Sequence, residues 1–310
     1  MAKYRIISID GGGIRGIIPA TVLLRLNTDP ALKNFLNKAD LIAGTSTGGL
    51  LALGIANNMD PAVMQKIYID DGEKIFDDSW LDDIKDLGNL IGADYDIANL
   101  EKVLKRIFGN IKLKTLKKKI LVTAFDLDNE SKSVNARSWK PKIFHNFDGA
   151  DSDGEELAYK VGLYTSAAPT FFPSVDGYID GGVFASNPSM CALSQSQDIR
   201  SISSPPKLDE IMLLSLGTGI SLNYIKGKSL DWGEAQWVKP LISLMMDGVN
   251  GIADYQCKQI LKNNYYRLSP VFPADVIIKM DDVKKIPYMK EFAEQLDLSP
   301  LKNWLINKWN

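Results

Sequence analysis

Short apolar runs alternate along the chain with longer segments in which apolar residues recur every three or four positions. The short runs are bounded by glycine or polar residues, which is typical of strands buried in a mainly parallel sheet. The longer segments have the period of helices that pack one face against such a sheet. The pattern therefore predicts an α/β fold whose central sheet is mainly parallel.

Strand, glycine turn and helix follow one another twice near the start of the chain, and no internal repeat or long flexible linker is present. We therefore predict one domain over residues 1–310, with its motifs within about residues 3–220 and a mostly helical part over 221–310. The predicted strands are Tyr4–Ile9, Asp40–Ala43, Ile120–Phe125, Ser133–Ser138, Ile143–Phe147, Tyr178–Gly182 and Glu210–Leu216. The predicted helices are Ile14–Asn27, Leu50–Ala56, Glu155–Tyr164 and Glu234–Lys262.

Composition narrows the classes of partner. The net charge is −2, from 36 Lys and Arg against 38 Asp and Glu, so no overall field attracts a polyanion. Five lysines lie within residues 112–119, and we interpret them as a solvated approach to the next strand rather than as a site for lipid head groups. Cys191 and Cys257 are far apart, which predicts neither a disulfide framework nor a metal cluster. We predict no nucleic-acid partner, no metal and no cofactor.

The chain opens without a signal-peptide pattern, and no apolar run reaches the roughly 18 residues of a spanning helix. We expect a cytoplasmic or membrane-peripheral protein, with export by a route that leaves no cleavable signal still open. Residues 301–309 are amphipathic with two tryptophans, so they suit either an interfacial anchor or a helix docked on the domain. Residues 77–86 carry five aspartates, and we predict an exposed helix or lid because EF-hand spacing is absent.

The first candidate for chemistry is Ser46, in the sequence Gly44-Thr45-Ser46-Thr47-Gly48. This matches the nucleophile-elbow pattern G-x-S-x-G, in which small flanking residues allow a strained turn to present the serine hydroxyl. A strand precedes the motif and an apolar helix follows it, so Ser46 would lie beside a positive helix end. We therefore favour a catalytic serine over an ordinary turn, with Gly44 and Gly48 as the glycines of the elbow.

The second candidate is the glycine-rich segment Asp10–Gly16, directly after the first strand. Successive glycine amides can form a concave nest of donors for an anion. Gly11, Gly13 and Gly16 also satisfy the dinucleotide pattern G-x-G-x-x-G, but the acidic residue expected about 20 positions later at a second strand is missing. The segment therefore suits an oxyanion hole better, with Arg15 as a cationic neighbour, and binding of a nucleotide or phosphate through Gly11–Gly16 remains an alternative.

A serine nucleophile needs a base, and the chain contains one histidine, His145. It lies in an alternating, strand-like segment, where a structural role is more common than a catalytic one. A carboxylate is the alternative, because Asp180 ends a strand at the turn Gly181-Gly182. Taken alone, an Asp-Gly-Gly turn carries little information about function.

Together, these motifs resemble those of the patatin-like phospholipase family of lipid acyl hydrolases. The family's D-G-G-G-x-R-G is matched by Asp10–Gly16, its G-T-S-T-G-G by Gly44–Gly49, and its D-G-[AG] by Asp180–Gly182. Similar segments follow in the same order at Ser166–Pro173, Asn187–Pro188, Leu214–Gly219, Trp237–Asp254 and Asn264–Leu268, and the last two resemble the plant patatin branch.

The resemblance implies a three-layer α/β/α sandwich and a Ser46–Asp180 dyad without a catalytic histidine. It implies an oxyanion hole formed by Gly11, Gly12, Gly13 and Arg15. The substrate would be a phospholipid or related acyl lipid, met through transient contact with a membrane surface, and the need for a protein activator is left open. A catalytically idle storage or interaction protein on the same scaffold is the other alternative.

The mechanism implied is acyl transfer to Ser46 followed by hydrolysis. An ordinary aspartate is a weak base, so we expect partial desolvation to raise the pKa of Asp180. We also expect Arg15→Ala and Gly12→Pro to cripple turnover without unfolding the protein, because the oxyanion hole carries much of the rate.

Overall fold

Seven strands form one sheet in the computed structural model, which describes residues 3–76 and 93–309. They are β1 (Tyr4–Ile9), β2 (Leu41–Thr45), β3 (Lys119–Asp126), β4 (Lys140–His145), β5 (Tyr178–Asp180), β6 (Ile211–Leu216) and β7 (Tyr265–Leu268). Their order across the sheet is β4-β3-β2-β1-β6-β7, and β5 pairs with β3. The pairs from β3 through β2, β1 and β6 to β7 are parallel, whereas β4 and β5 run antiparallel to β3. The predicted mainly parallel sheet is confirmed.

Helices cover both faces of this sheet. They are α1 (Ile17–Asn27), α2 (Thr47–Ala56), α3 (Pro61–Ile75), α4 (Ile97–Phe108), α5 (Ala158–Ser166), α6 (Gly182–Ala185), α7 (Ser189–Gln195), α8 (Glu234–Leu261), α9 (Ile286–Gln295) and α10 (Ser299–Trp304). Neighbouring strand residues point to opposite faces, so Ile7 joins a core cluster with α1, α2, α4 and α5, while Ile6 joins one with α7 and α8. The fold is therefore the expected three-layer α/β/α sandwich.

Several predicted boundaries are wrong. The predicted strand Ser133–Ser138 is an exposed loop with a 3₁₀ turn at Val134–Ala136, since Val134 is 88% exposed and has no core to face. The predicted strand Ile143–Phe147 corresponds to β4, which begins at Lys140 and ends at His145. A 3₁₀ turn at Gly13–Gly16 precedes α1, which starts at Ile17 rather than at Ile14.

The C-terminal amphipathic segment docks against the domain. The side chains of Leu301, Leu305 and Trp309 are fully buried, and the Trp309 indole Nε1 donates to the Phe35 carbonyl at 2.9 Å. The interpretation of this segment as an interfacial anchor is therefore wrong. The aspartate-rich residues 77–86 lie outside the described residues.

The lysine-rich approach to β3 is folded locally. Leu113 and Leu116 are buried within it, and Lys112 and Lys114 both pair with Glu155. None of the helices that the structure describes combines the length and the apolar character that crossing a bilayer requires.

The register of the sheet creates the setting for the site. The pairing of β2 with β3 ends at Thr45 opposite Thr123, and the next residue of β3, Ala124, pairs with Asp180 of β5. Because β5 continues along β3 where β2 stops, Asp180 lies next to the residue that follows Thr45. That residue is Ser46.

Candidate active site

Ser46 occupies the sharp turn between β2 and α2. Its backbone has φ 55° and ψ −129°, a conformation that a residue with a side chain adopts only when its surroundings impose it. A Cβ atom at Gly44 would lie 2.1 Å from the Gly48 carbonyl oxygen, and one at Gly48 would lie 2.2 Å from the Ile9 carbonyl oxygen. Only glycine fits at these two positions, so the flanking glycines permit the turn that presents Ser46.

A threonine from the neighbouring helix α5 fixes the turn from outside. The Ser46 backbone amide donates to the Thr165 hydroxyl at 2.7 Å, and that hydroxyl donates to the Thr123 carbonyl of β3 at 2.6 Å. Thr165 is completely buried, so both hydrogen bonds are shielded from water. The sheet, the helix and the turn are thereby joined at the residue that carries the candidate nucleophile.

Asp180 ends β5 with its side chain directed at Ser46. Its carboxylate accepts a hydrogen bond of 2.7 Å from the Gly182 amide and lies in the same cavity wall as Ser46. The residue is only 5% exposed. Burial raises the pKa of Asp180 to about 6, and the nearby Ser46 hydroxyl and the Gly182 amide oppose that rise. The direction agrees with the sequence-based expectation, and a carboxylate with such a pKa is a better base than an ordinary aspartate.

The glycine loop leaves β1 beside Ser46. A Cβ atom at Gly11 would lie 3.3 Å from the Ser46 Cβ, and the Gly11 amide donates to the Ser186 carbonyl at 2.9 Å. Among the described residues, no acceptor engages the amides of Gly12 or Gly13, and both glycines line the cavity that reaches Ser46. The loop therefore presents two unengaged N–H donors next to the candidate nucleophile.

The loop is anchored at Asp10, whose carboxylate forms a bidentate ion pair with Arg267 of β7 at 2.6 and 3.2 Å. Arg267 also donates to the Ser215 hydroxyl at 2.6 Å. The Asp10 side chain is 3% exposed and that of Arg267 is 12% exposed. A further anchor is Thr218, whose hydroxyl donates to the Gly11 carbonyl at 2.8 Å.

Arg15 is attached to the loop and to the turn after β6. Its guanidinium donates to the Gly12 carbonyl at 3.4 Å and to the Gly219 carbonyl at 3.3 Å. Burial lowers the pKa of Arg15, and Asp247 and Asp10 oppose that change. The Arg15 side chain therefore links the Gly12 carbonyl of the loop to the Gly219 carbonyl of the turn after β6.

A cavity of about 200 Å³ opens from Ser46 and Asp180 into the helical layer. The side chains that line this cavity are mostly apolar. Helices α3 and α4 supply aliphatic and aromatic side chains, the turn after α5 supplies Phe171 and Phe172, and α8 supplies Met245 and Met246. The polar groups at one end are thus continuous with an apolar chamber, the usual arrangement of a site for a largely apolar ligand.

The structure brings together most of the residues that the sequence singled out. Ser46, Asp180 and the three glycines share one site, whereas His145 pairs with Leu121 on the opposite edge of β3 and packs against Phe147. No role in the site was predicted for Thr165, Thr218 or Arg267. These residues border or lie in segments that resemble the family, and that resemblance is the only feature of the sequence that points to them.

Within the described residues, no group of three or more His, Cys, Asp or Glu side chains is placed to hold a metal ion.

Known proteins match most of this chain. The family model described as Patatin-like phospholipase matches residues 7–193. The chain is 30% identical over 293 residues to the cGAMP-activated phospholipase of Pseudomonas aeruginosa, a match covering 91% of this chain and 82% of the relative. It is 31% identical over 308 residues to "Probable inactive patatin-3-Kuras 1" of Solanum tuberosum, covering 85% and 77%.

A solved structure, VipD from Legionella pneumophila, aligns over 94% of this chain and 67% of its own, at 12% identity and a TM-score of 0.41. The family match spans both the glycine loop and the Ser46 turn, and it includes Asp180. The names of the relatives include both a phospholipase and a protein described as inactive. The chain belongs to the patatin-like phospholipase family, a membership that supports lipid hydrolysis as its activity.

Proposed function

We propose that the chain hydrolyses carboxylic ester bonds of phospholipids or related acyl lipids, with Ser46 as nucleophile and Asp180 as its base. The observation that carries the proposal is the placement of Ser46, in a strained turn, and the buried Asp180 carboxylate in the wall of one apolar cavity. Because the pKa of Asp180 is raised to about 6, the carboxylate is ionised at neutral pH and still basic enough to take a proton.

The first half of the reaction is acylation. Asp180 takes the Ser46 proton as the serine oxygen bonds to the ester carbonyl carbon, and the carbonyl oxygen becomes an oxyanion. The intermediate then collapses, the bond to the glycerol oxygen breaks, and Asp180 returns the proton to that oxygen. The products are a free alcohol and an acyl-Ser46 ester.

The second half repeats the chemistry with water. Asp180 takes a proton from a water molecule whose oxygen attacks the acyl-Ser46 carbonyl. Collapse of the second oxyanion breaks the bond to the serine oxygen, which recovers its proton from Asp180. A fatty acid is released, and both residues return to their starting state.

In this proposal the oxyanion accepts hydrogen bonds from the Gly12 and Gly13 amides, because the Gly11 amide already donates to Ser186. Gly11 is required for a different reason, since a side chain there would crowd Ser46. Arg15 acts as a positioning residue by holding the Gly12 carbonyl against the Gly219 turn. The N-terminus of α2 adds a favourable partial positive charge beside Ser46.

The walls of the cavity favour an acyl chain over a polar substituent. The chamber beyond Ser46 is lined by side chains such as Leu104, Phe108 and Met64, all of them buried. Burial of methylene groups in such a chamber is worth about 0.8 kcal/mol each. This supports a lipid acyl group as the part of the substrate that the cavity holds.

The proposal is tested by treating the full chain with a fluorophosphonate probe and locating the adduct by peptide mass spectrometry. We expect one adduct at Ser46, absent in Ser46→Ala and formed much more slowly in Asp180→Asn. The matched control is Ser166→Ala, because Ser166 lines the same cavity and, like Ser46, is 8% exposed. An adduct at Ser166, or an unchanged rate in Asp180→Asn, would contradict the assignment.

Unlabelled full chain is then tested on phospholipid in mixed micelles, where we expect release of fatty acid that Ser46→Ala abolishes and that prior treatment with the probe also abolishes. Because one relative is named a cGAMP-activated phospholipase, the labelling is also carried out in a parallel reaction that contains cGAMP. An adduct that forms only in that reaction would mean that the site requires an activator. No adduct in either reaction would favour an idle scaffold, as the name of the potato relative describes.

A further inference from the structure

The long helix α8 is apolar on two opposite sides. On its inner side, Ala253, Cys257 and Leu261 are buried against the sheet. On its outer side lies a second row of apolar residues, which we call the outer stripe: Trp237, Leu241, Leu244, Met245, Ile252 and Tyr255. Each of these side chains is between 36 and 60% exposed. A helix that packs with one face normally carries polar residues on the other, so the outer stripe needs an explanation.

The spacing of the outer stripe makes it one continuous surface. Its residues follow one another at i, i+4, i+7, i+8, i+15 and i+18, which places them on one side of a helix. The gap in this spacing is filled by Gly248, at i+11, where a Cβ atom would meet nothing within 4 Å. No charged residue interrupts the row, so the surface is apolar from Trp237 to Tyr255.

The outer stripe runs into the wall of the catalytic cavity. Met245 is half exposed on the stripe and also lines the cavity, together with its neighbour Met246. Ser46 and Asp180 line the same cavity. An apolar molecule resting on the stripe is therefore next to the chamber that the proposed reaction uses, with Met245 belonging to both surfaces.

We propose that the outer stripe of α8 docks on the surface of a phospholipid bilayer and passes acyl chains into the cavity beside Met245. The second half of this statement rests on the proposed function. A protein or a second copy of the chain seated on the stripe would cover Met245 and the adjacent cavity wall, whereas a lipid surface supplies the substrate there. Trp237 and Tyr255, at the two ends of the stripe, are residue types that favour the bilayer interface.

Direct binding is measured by sedimentation of the full chain with phosphatidylcholine vesicles. The variant Leu241→Glu/Leu244→Glu/Ile252→Glu changes three stripe residues that do not line the cavity. We expect at least tenfold weaker binding for this variant. The matched control is Val134→Glu/Ile199→Glu/Leu208→Glu, which adds the same charge at three exposed apolar residues elsewhere. It should bind as the wild type does. Because the stripe is apolar, wild-type binding should persist at high salt.

A probe reports whether the stripe enters the bilayer. Gly248→Cys carries an environment-sensitive fluorophore at a position with open space, and Val134→Cys carries it at a distant exposed loop. On adding vesicles, we expect a blue shift at position 248 and none at position 134. Wild type treated in the same way gives the background from Cys191 and Cys257. The absence of a shift at position 248, or vesicle binding unaffected by the three stripe substitutions, would overturn the proposal.

Two activity measurements separate this proposal from the proposed function. The stripe variant should lose at least tenfold in hydrolysis of vesicle lipid and keep wild-type hydrolysis of a soluble short-chain ester, which shows that it is folded. Ser46→Ala should bind vesicles normally. Vesicle binding through the stripe without any hydrolysis by wild type would retain the docking surface and reject the function. A wild-type dimer that the stripe variant converts to a monomer would assign the stripe to a second copy and overturn the docking proposal.

Discussion

The Ser46 turn and the glycine loop lie side by side at one edge of the sheet, yet they are held in different ways. The shape of the turn depends on glycines within two positions of Ser46, at Gly44 and Gly48. The loop depends on residues far along the chain: Asp10 pairs with Arg267, and the Gly11 carbonyl accepts from Thr218. One half of the site is therefore specified locally and the other is assembled by the tertiary fold.

The turn and the loop also differ in whether the residues that hold them lie within the part of the chain that the family model matches. It covers residues 7–193, which include the turn, the loop and Asp180. The anchors of the loop, Thr218 and Arg267, lie beyond that range, on the strands and turns at the other side of β1. A chain with all of the matched motifs but altered anchors would keep its nucleophile and lose the geometry of its oxyanion donors.

The largest effect is expected from breaking the anchor. Arg267→Met leaves the Asp10 carboxylate buried without its partner, a change that typically costs about 3–5 kcal/mol. We expect the free energy of unfolding to fall by about that amount and the activity on a soluble ester to fall with it. Urea denaturation followed by circular dichroism measures the first quantity, and initial rates measure the second.

The double variant Asp10→Asn/Arg267→Met is the control for the anchor. It removes the unpaired charge, so it should recover part of the stability lost in Arg267→Met. A single variant that loses less than about 1 kcal/mol would mean that the ion pair does not hold the loop, because the net cost of an exposed pair is of that size.

The next largest effect is expected at Gly13. Its φ of 58° disfavours other residues, and a Cβ atom there would lie 2.2 Å from the Met280 carbonyl oxygen. Gly13→Ala must therefore displace the loop and its donors from Ser46. Since loss of one oxyanion donor costs roughly a hundredfold to a thousandfold in kcat, we expect a decrease of that order in kcat/KM for a soluble ester.

Gly109 provides a matched control, because its φ is 50° but a Cβ atom there meets nothing within 4 Å. Gly109→Ala measures the cost of a positive-φ backbone alone, about 1–3 kcal/mol of stability, with activity unchanged. If both variants lost activity equally, crowding of the loop by Met280 could not be the cause.

A third prediction tests the base at the turn. Burial raises the pKa of Asp180 to about 6, so the proton is bound more tightly in the folded than in the unfolded protein. The free energy of unfolding should fall as pH rises from about 4 to above 6, by up to about 3 kcal/mol. Over the same range kcat/KM should rise as Asp180 ionises. Urea denaturation and rate measurements across pH 4–8 give both curves.

Two variants sharpen this titration. Asp180→Asn should lack the contribution of Asp180 to the stability curve, because it has no titrating group at that position. Ser46→Ala should move the midpoint above pH 6, since the Ser46 hydroxyl lowers the pKa of Asp180. A midpoint that is unchanged in Ser46→Ala would contradict direct contact between the two residues.

Local patterns predicted much of the sheet and marked Ser46 as a candidate nucleophile, whereas the pattern around Asp180 gave only a turn after a strand. The bounds of β1 agree with the prediction, because Tyr4–Ile9 is an apolar run ending at a glycine turn. The segment Ser133–Ser138 alternates polar and apolar residues without reaching a core, so its pattern was misleading. Alternation describes one strand at a time and contains no information on which neighbour is present.

The adjacency of Asp180 and Ser46 was beyond local reasoning. It arises because β5 pairs with β3 directly after β2 ends, and nothing in the short run before Asp180 specifies that register. Arg267 was missed for a similar reason, since its partner Asp10 lies 257 residues away in sequence. The resemblance to a family supplied the Ser46–Asp180 pairing, and the resemblance alone assigned no role to the anchor.

The smallest effect is expected at Thr165, which braces the turn from α5. Thr165→Val keeps the shape of the side chain but leaves the Ser46 amide and the Thr123 carbonyl without their partner. A buried donor or acceptor without a partner costs about 1–3 kcal/mol, so we expect the free energy of unfolding to decrease by about that amount. The rate of Ser46 labelling should decrease as well. Thr165→Ser retains the hydroxyl and should restore most of the labelling rate. If Thr165→Val labelled as fast as wild type, Ser46 would be presented without the contact from α5, and the contrast between a locally specified turn and a loop held by distant residues would be complete.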